Sequence, residues 1–83
     1  MNKTMYAIIN LPIEEAGVEA PDNETYVTDS PLDLIAVFEG AGHDPADHCI
    51  EIYTVDEDGE FVDGSDYDTF ENFKERFGKG GKA

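Results

Sequence analysis

The chain has 83 residues, with 20 Asp or Glu against 5 Lys or Arg, for a net charge of −15. A chain of this length buries roughly 60–65% of the surface it exposes when unfolded, so one small domain with one core is expected. An apolar fraction of 40% excludes a disordered polyacid, and charge of this sign excludes direct binding to nucleic acid.

Thr4 to Leu11 (TMYAIINL) is apolar on both alternating faces, with Met5, Ala7, Ile9 and Leu11 on one side and Tyr6 and Ile8 on the other. This predicts an interior strand, or one whose outer face is covered, ended by Pro12. Residues 12–23 are acidic and broken by two prolines, which predicts a loop with at most a helical turn. Glu24 to Thr28 fits a short second strand. Ser30 then caps a helix that starts at Pro31, carries Asp33 in its first turn, and runs to Glu39 with Gly40 as its stop.

Gly40 to His48 reads as a loop and Cys49 to Val55 as a strand. Glu60 to Asp63 pairs back onto that strand across Asp56-Glu57-Asp58-Gly59, since Asp-Gly between β-rich flanks marks a hairpin. The last helix opens at Asp68, with Glu71 in capping-box position. Phe70, Phe73 and Phe77 form its apolar stripe and Gly78 its end. The expected fold is α+β, in the order β-β-α-β-β-α, with a largely antiparallel sheet and two helices packed on it. Residues 1–77 form the domain and 78–83 (GKGGKA) a flexible tail.

No motif carries recognisable chemistry. Calcium loops need oxygen ligands at positions 1, 3, 5 and 12 with glycine at 6. Gly59 at position 6 puts Thr54 first and Ser65 last, and Gly64 there puts Gly59 first, so neither frame works. His43, Asp44, Asp47, His48 and Cys49 are spaced to wrap zinc, yet GHDPADHC reads equally well as a polar turn entering a strand. Cys49 and His48 are adjacent, so a strand directs them to opposite faces, and acidic surroundings raise a thiol pKa. Paired carboxylates abound, but so short a chain has little room for a substrate cleft. A glycine-rich phosphate loop is absent. No enzyme, metal or cofactor is expected. One cysteine and no apolar run near eighteen residues lead us to expect a cytoplasmic, membrane-free protein.

The placement of charge is more informative. The bases are Lys3, Lys74, Arg76, Lys79 and Lys82, so residues 4–73 contain 19 of the 20 acids (all but Glu75) and no Lys or Arg. The segment Asp56 to Glu71, DEDGEFVDGSDYDTFE, alone holds eight acids. A domain of this length is roughly 30 Å across. Duplex DNA carries about 18 charges over that distance. Solubility and high-salt adaptation are the plainer explanations, but four of the five bases being Lys, with large residues in the core, fits a halophile poorly.

In size and charge the chain is similar to the small DNA-mimicking inhibitors of phages and mobile elements, a likeness of composition rather than motif. Some of those block restriction enzymes, CRISPR effectors, repair glycosylases or nucleoid proteins. The resemblance implies an inhibitor that occupies the basic site of a nucleic-acid-binding protein. Position on an exposed turn and a helix start, where carboxylates can project, selects Asp56, Glu57, Asp58, Glu60, Asp63, Asp66 and Asp68 as its contacts, with Asp58 also expected to form the turn and Asp68 to cap the last helix. The alternative is a non-catalytic acidic adaptor, with Tyr6 and Ile8 of the first strand seeding an interface or a homodimer.

Overall fold

The apolar residues of the first strand face both ways. Tyr6 and Ile8 on one side and Ala7 and Ile9 on the other are buried, while Met5 is half-buried. The structure, a computed structural model, describes residues 2–19 and 23–78, except for the side chains of 17–19 and 63–65. Its elements are β1 (Lys3–Ile9), α1 (Ile13–Glu19), β2 (Glu24–Thr28), α2 (Pro31–Gly40), β3 (Cys49–Val55), β4 (Phe61–Thr69) and α3 (Phe70–Phe77). The sheet order is β2-β1-β3-β4, and every neighbouring pair is antiparallel. The fold is therefore α+β with an antiparallel sheet, as expected. Residues 79–83, most of the expected tail, lie outside the described residues.

β1 and β3 form the centre of the sheet and pair without a break from Lys3↔Val55 to Ile9↔Cys49. On one sheet face Tyr6, Ile8 and Ile50 pack beneath Leu34, Ile35 and Phe38 of α2 and Phe70 and Phe73 of α3. The Phe38 and Phe70 rings stack at 3.8 Å and 4°. Tyr6 meets Phe73 edge-on at 5.6 Å and Phe77 at 5.5 Å. The phenylalanine stripe of α3 thus belongs to the core. Tyr6 and Ile8 are buried beneath these helices and cannot seed a docking interface or a homodimer, which corrects the expectation drawn from β1.

The opposite face is covered more thinly. Ala7, Ile9 and Cys49 pack against Ala16 of α1, with Leu11, Tyr53 and Tyr67 at the margin. This helix replaces the loop expected over residues 12–23. The Glu15 amide bonds to the Pro12 carbonyl at 2.9 Å, and Glu14 and Glu15 occupy the first turn, where the helix dipole favours anions. Seven residues are too few to hold a helix alone, so α1 gains its helicity from docking Ala16 onto the sheet, a long-range contact that local pattern does not reveal.

Local signals set the other boundaries with three adjustments. Ser30 caps α2, accepting from the Asp33 amide at 3.2 Å, but the stop is Gly42 at φ +76° rather than Gly40. The His43 amide bonds to the Phe38 carbonyl, Gly42 bonds to Glu39, and the His43 ring rests 5.4 Å from Phe38, which together make a Schellman end. β4 continues to Thr69, well beyond Asp63, because its backbone pairs with β3 through Asp66↔Ile52, Asp68↔Ile50 and Cys49↔Thr69. Asp68 is consequently extended. Thr69 caps α3 instead, accepting from Asn72 at 3.2 Å.

Charges are handled unevenly. The three bases among the described residues each pair with an acid: Lys3 with Asp29 at 3.6 Å, Arg76 with Asp68 at 3.0 Å, and Lys74 with Glu39. Two acids meet each other. Glu51 is buried on the thinly covered face, and its carboxyl hydrogen-bonds with that of Glu24. Burial first, then the bond and charge of Glu51, push the Glu24 carboxyl above the ordinary glutamate range. No described helix is long and apolar enough to cross a membrane.

Two outcomes follow for stability. Phe38→Ala, at a site 1% exposed, lowers the free energy of unfolding by about 3–5 kcal/mol in urea titrations, whereas Leu32→Ala, at 51% exposed, changes it by less than about 0.5 kcal/mol. A carboxyl raised in the folded state stabilises fully below its unfolded value, near ~4.3, and that contribution is lost as pH rises through the folded value. The thermal midpoint therefore climbs on acidification from about pH 7 to about pH 5. Glu51→Gln raises the midpoint at neutral pH and flattens part of that slope; an unchanged slope would clear the pair of responsibility.

Candidate partner-binding surface

The acidic segment begins as a hairpin turn built on one of its own carboxylates. Asp56 Oδ1 accepts from the Asp58 and Glu60 amides, each at 2.9 Å. The backbone closes with Gly59 N–H to Asp56 O at 3.0 Å and Asp56 N–H to Glu60 O at 2.9 Å. Gly59 adopts φ +85°, the left-handed position that ends a three-residue hairpin loop and favours glycine. With its own Oδ1 holding the turn, Asp56 is half-buried, while Glu57, Asp58 and Glu60 are exposed.

From the turn, β4 runs along the sheet edge. Asp66 and Asp68 lie opposite Ile52 and Ile50, on the side that bears α2 and α3. Asp66 is exposed. Asp68 is not a free contact: its side chain is 16% exposed, accepts from the Thr69 amide at 3.0 Å and is held by Arg76. The Asp63 side chain lies outside the described residues, although its backbone belongs to the strand. The six candidate acids whose side chains are described thus divide by role. Glu57, Asp58, Glu60 and Asp66 project outward, whereas Asp56 and Asp68 hold structure. Nine strand residues at about 3.3 Å each extend this edge for roughly 30 Å.

A second feature, which charge pattern alone did not reveal, adjoins the turn. On the sheet face that α1 leaves uncovered, Met5, Tyr53, Val55 and Phe61 floor an open groove of about 420 Å³. Its rim is the turn itself, Asp56 to Gly59, with Lys3 at one end. Phe61 pairs with Val55 and Met5 with Tyr53, which is how the two hairpin strands and β1 bring the four together. Phe61 is 61% exposed and Val62 45%. The signal was present in the segment: Glu60-Phe61-Val62 is the only apolar pair among those acids, and strand alternation places Tyr53 and Val55 opposite to Ile52.

The loop candidates for chemistry are arranged differently. His48 stands 6.0 Å from Phe38 and 4.6 Å from His43, on the helix-bearing side. Cys49 is fully buried on the other side among Ala7, Ile9 and Ala16, as strand alternation predicted. Burial, and then the charge of Glu51, push its thiol up to about 11, which makes it a poor nucleophile. Asp44 serves the turn, accepting from the Ala46 amide at 2.9 Å, and its carbonyl meets His48 Nδ1 at 2.9 Å. Among the described residues, no three His, Cys, Asp or Glu side chains converge as metal ligands.

The division between holding and projecting acids is testable by chemical denaturation. Asp56→Ala, which removes the acceptor of two turn amides, lowers stability by about 1–3 kcal/mol. Glu57→Gln, Asp58→Asn and Glu60→Gln leave stability unchanged or raise it, because each relieves repulsion without removing a described turn acceptor. Equal losses at Asp56 and Glu57 would contradict the assignment. Compared with models of protein families, with curated proteins and with solved structures, the chain matches none.

Proposed function

We propose that the chain is a non-catalytic acidic inhibitor, of the kind made by phages and mobile elements, that occupies the basic nucleic-acid-binding site of another protein by presenting DNA-like charge. The observation that carries this reading is the β4 edge. Exposed Glu57, Asp58 and Glu60 at the hairpin turn and Asp66 farther along β4 lie on one edge hairpin of a domain measuring 34 × 31 × 18 Å. Residues 4–73 contain no Lys or Arg, so the bases near this hairpin come from outside that span, Arg76 at Asp68 and Lys3 beside the turn. Over 34 Å, duplex DNA carries about 20 charges, against a net −15 here. A basic groove shaped for phosphates would be drawn to this edge at long range, with association falling as salt is added.

A second reading has its own observation. The uncovered apolar floor beside the turn, with Phe61 outermost, is what an adaptor would use to hold a partner by shape rather than charge. Such binding would survive salt.

The two separate in a capture experiment with the intact chain immobilised in a bacterial lysate. Under the inhibitor reading, the retained proteins bind duplex DNA themselves. Added duplex DNA or 1 M salt, at which the Debye length is about 3 Å, releases them. A variant combining Glu57→Gln, Asp58→Asn, Glu60→Gln and Asp66→Asn retains at least about tenfold less. Retention that resists salt, ignores DNA and persists in the variant would replace this reading with the adaptor.

A further inference from the structure

The hairpin combines two features that a surface kept acidic for solubility does not need together. Its turn is a run of carboxylates, and beside it an aromatic ring is left 61% exposed. The Phe61 ring lies 6.3 Å from that of Tyr53, tilted by 33°. With Met5 and Val55 these rings floor a groove of about 420 Å³ that is rimmed by Glu57 and Asp58. An apolar guest would strip water from the rim carboxylates and offer them nothing in return, which is costly. An anion would be repelled. A cation with a flat, weakly hydrated face satisfies floor and rim at once.

We propose that this groove receives an arginine side chain from the basic partner, an inference that rests on the inhibitor reading above and names the contact within it. The guanidinium plane lies against the rings of Tyr53 and Phe61, where the ring quadrupole attracts it. Its N–H groups point to the rim, where carboxylates accept in paired geometry. Lysine is a strongly hydrated point charge that gains from the rim but much less from the rings, so the groove selects arginine over lysine. Among the described residues, the Lys or Arg lining the groove is Lys3, whose Nζ pairs with Asp29 at 3.6 Å. An arginine that normally grips phosphate is thereby met by carboxylates in the phosphate's place and by an apolar floor that DNA phosphates do not supply.

The test uses the full chain and two synthetic peptides of equal length and charge, one with arginine and the other with lysine at every basic position. Calorimetric titration gives affinities, and amide chemical shifts locate the contact. The arginine peptide binds about five- to tenfold more tightly than the lysine peptide and shifts amides around Tyr53 and Phe61. Phe61→Ala, a change at an exposed ring that leaves the unfolding transition in place, erases this preference by weakening arginine binding alone. Glu57→Gln with Asp58→Asn weakens both peptides. Equal affinities in the wild-type chain, an arginine preference that survives Phe61→Ala, or shifts confined to other faces would each overturn the proposal. Because the probes are peptides, these outcomes keep their meaning whether or not duplex DNA releases proteins captured from a lysate.

Discussion

The antiparallel ladder between β1 and β3 is the constraint on which everything else depends. It runs in register over seven residue pairs, and its side chains are packed on both faces of the sheet. Ile8 and Ile50 lie under two helices; Ala7, Ile9 and Cys49 lie under a third. A molecule with so large an excess of carboxylates resists compaction, because like charges repel more strongly as they are brought together. A central pair of strands buried from above and below lets a short chain concentrate its apolar area where repulsion is weakest. Apart from Glu51, buried in β3, the described acids lie outside this central core.

The bases are used sparingly and locally. Lys74 ties α3 to α2, Arg76 ties α3 to β4, and Lys3 ties the start of β1 to the residue that follows β2. Two of the three therefore staple the helix layer, which supplies the larger half of the core. The hairpin turn is held differently, by backbone bonds and one aspartate. Arg76 is thus shared between the helix layer and the β4 edge, where it meets Asp68, while the turn residues Asp58 and Glu60 stay exposed.

Much of the fold was legible in the sequence where the decisive physics is local. Ser30-Pro31 started α2, Asp58-Gly59 marked the hairpin, and Phe70, Phe73 and Phe77 formed the inward stripe of α3. The errors have a common cause. The helix over residues 13–19, the continuation of β4 through Gly64 and Asp66, and the transfer of the cap from Asp68 to Thr69 all depend on contacts between segments distant in the chain. β4 reads as a loop by composition, yet an edge strand needs only one neighbour and can keep its acids in water. The candidate surface was half visible: charge density pointed to the acids, but the turn expected of Asp58 is held by Asp56, whose Oδ1 takes two amides. The aromatic floor emerged only when strand register set Phe61 beside Tyr53.

One aspartate folds the hairpin tip, while Glu57, Asp58 and Glu60 turn their side chains outward. The outer residues of this loop are therefore open to drift. Asp58 and Glu60 can exchange acid for neutral, or one acid for another, without removing an acceptor that holds the turn. Gly59 and Asp56 are the two positions that such drift must leave alone.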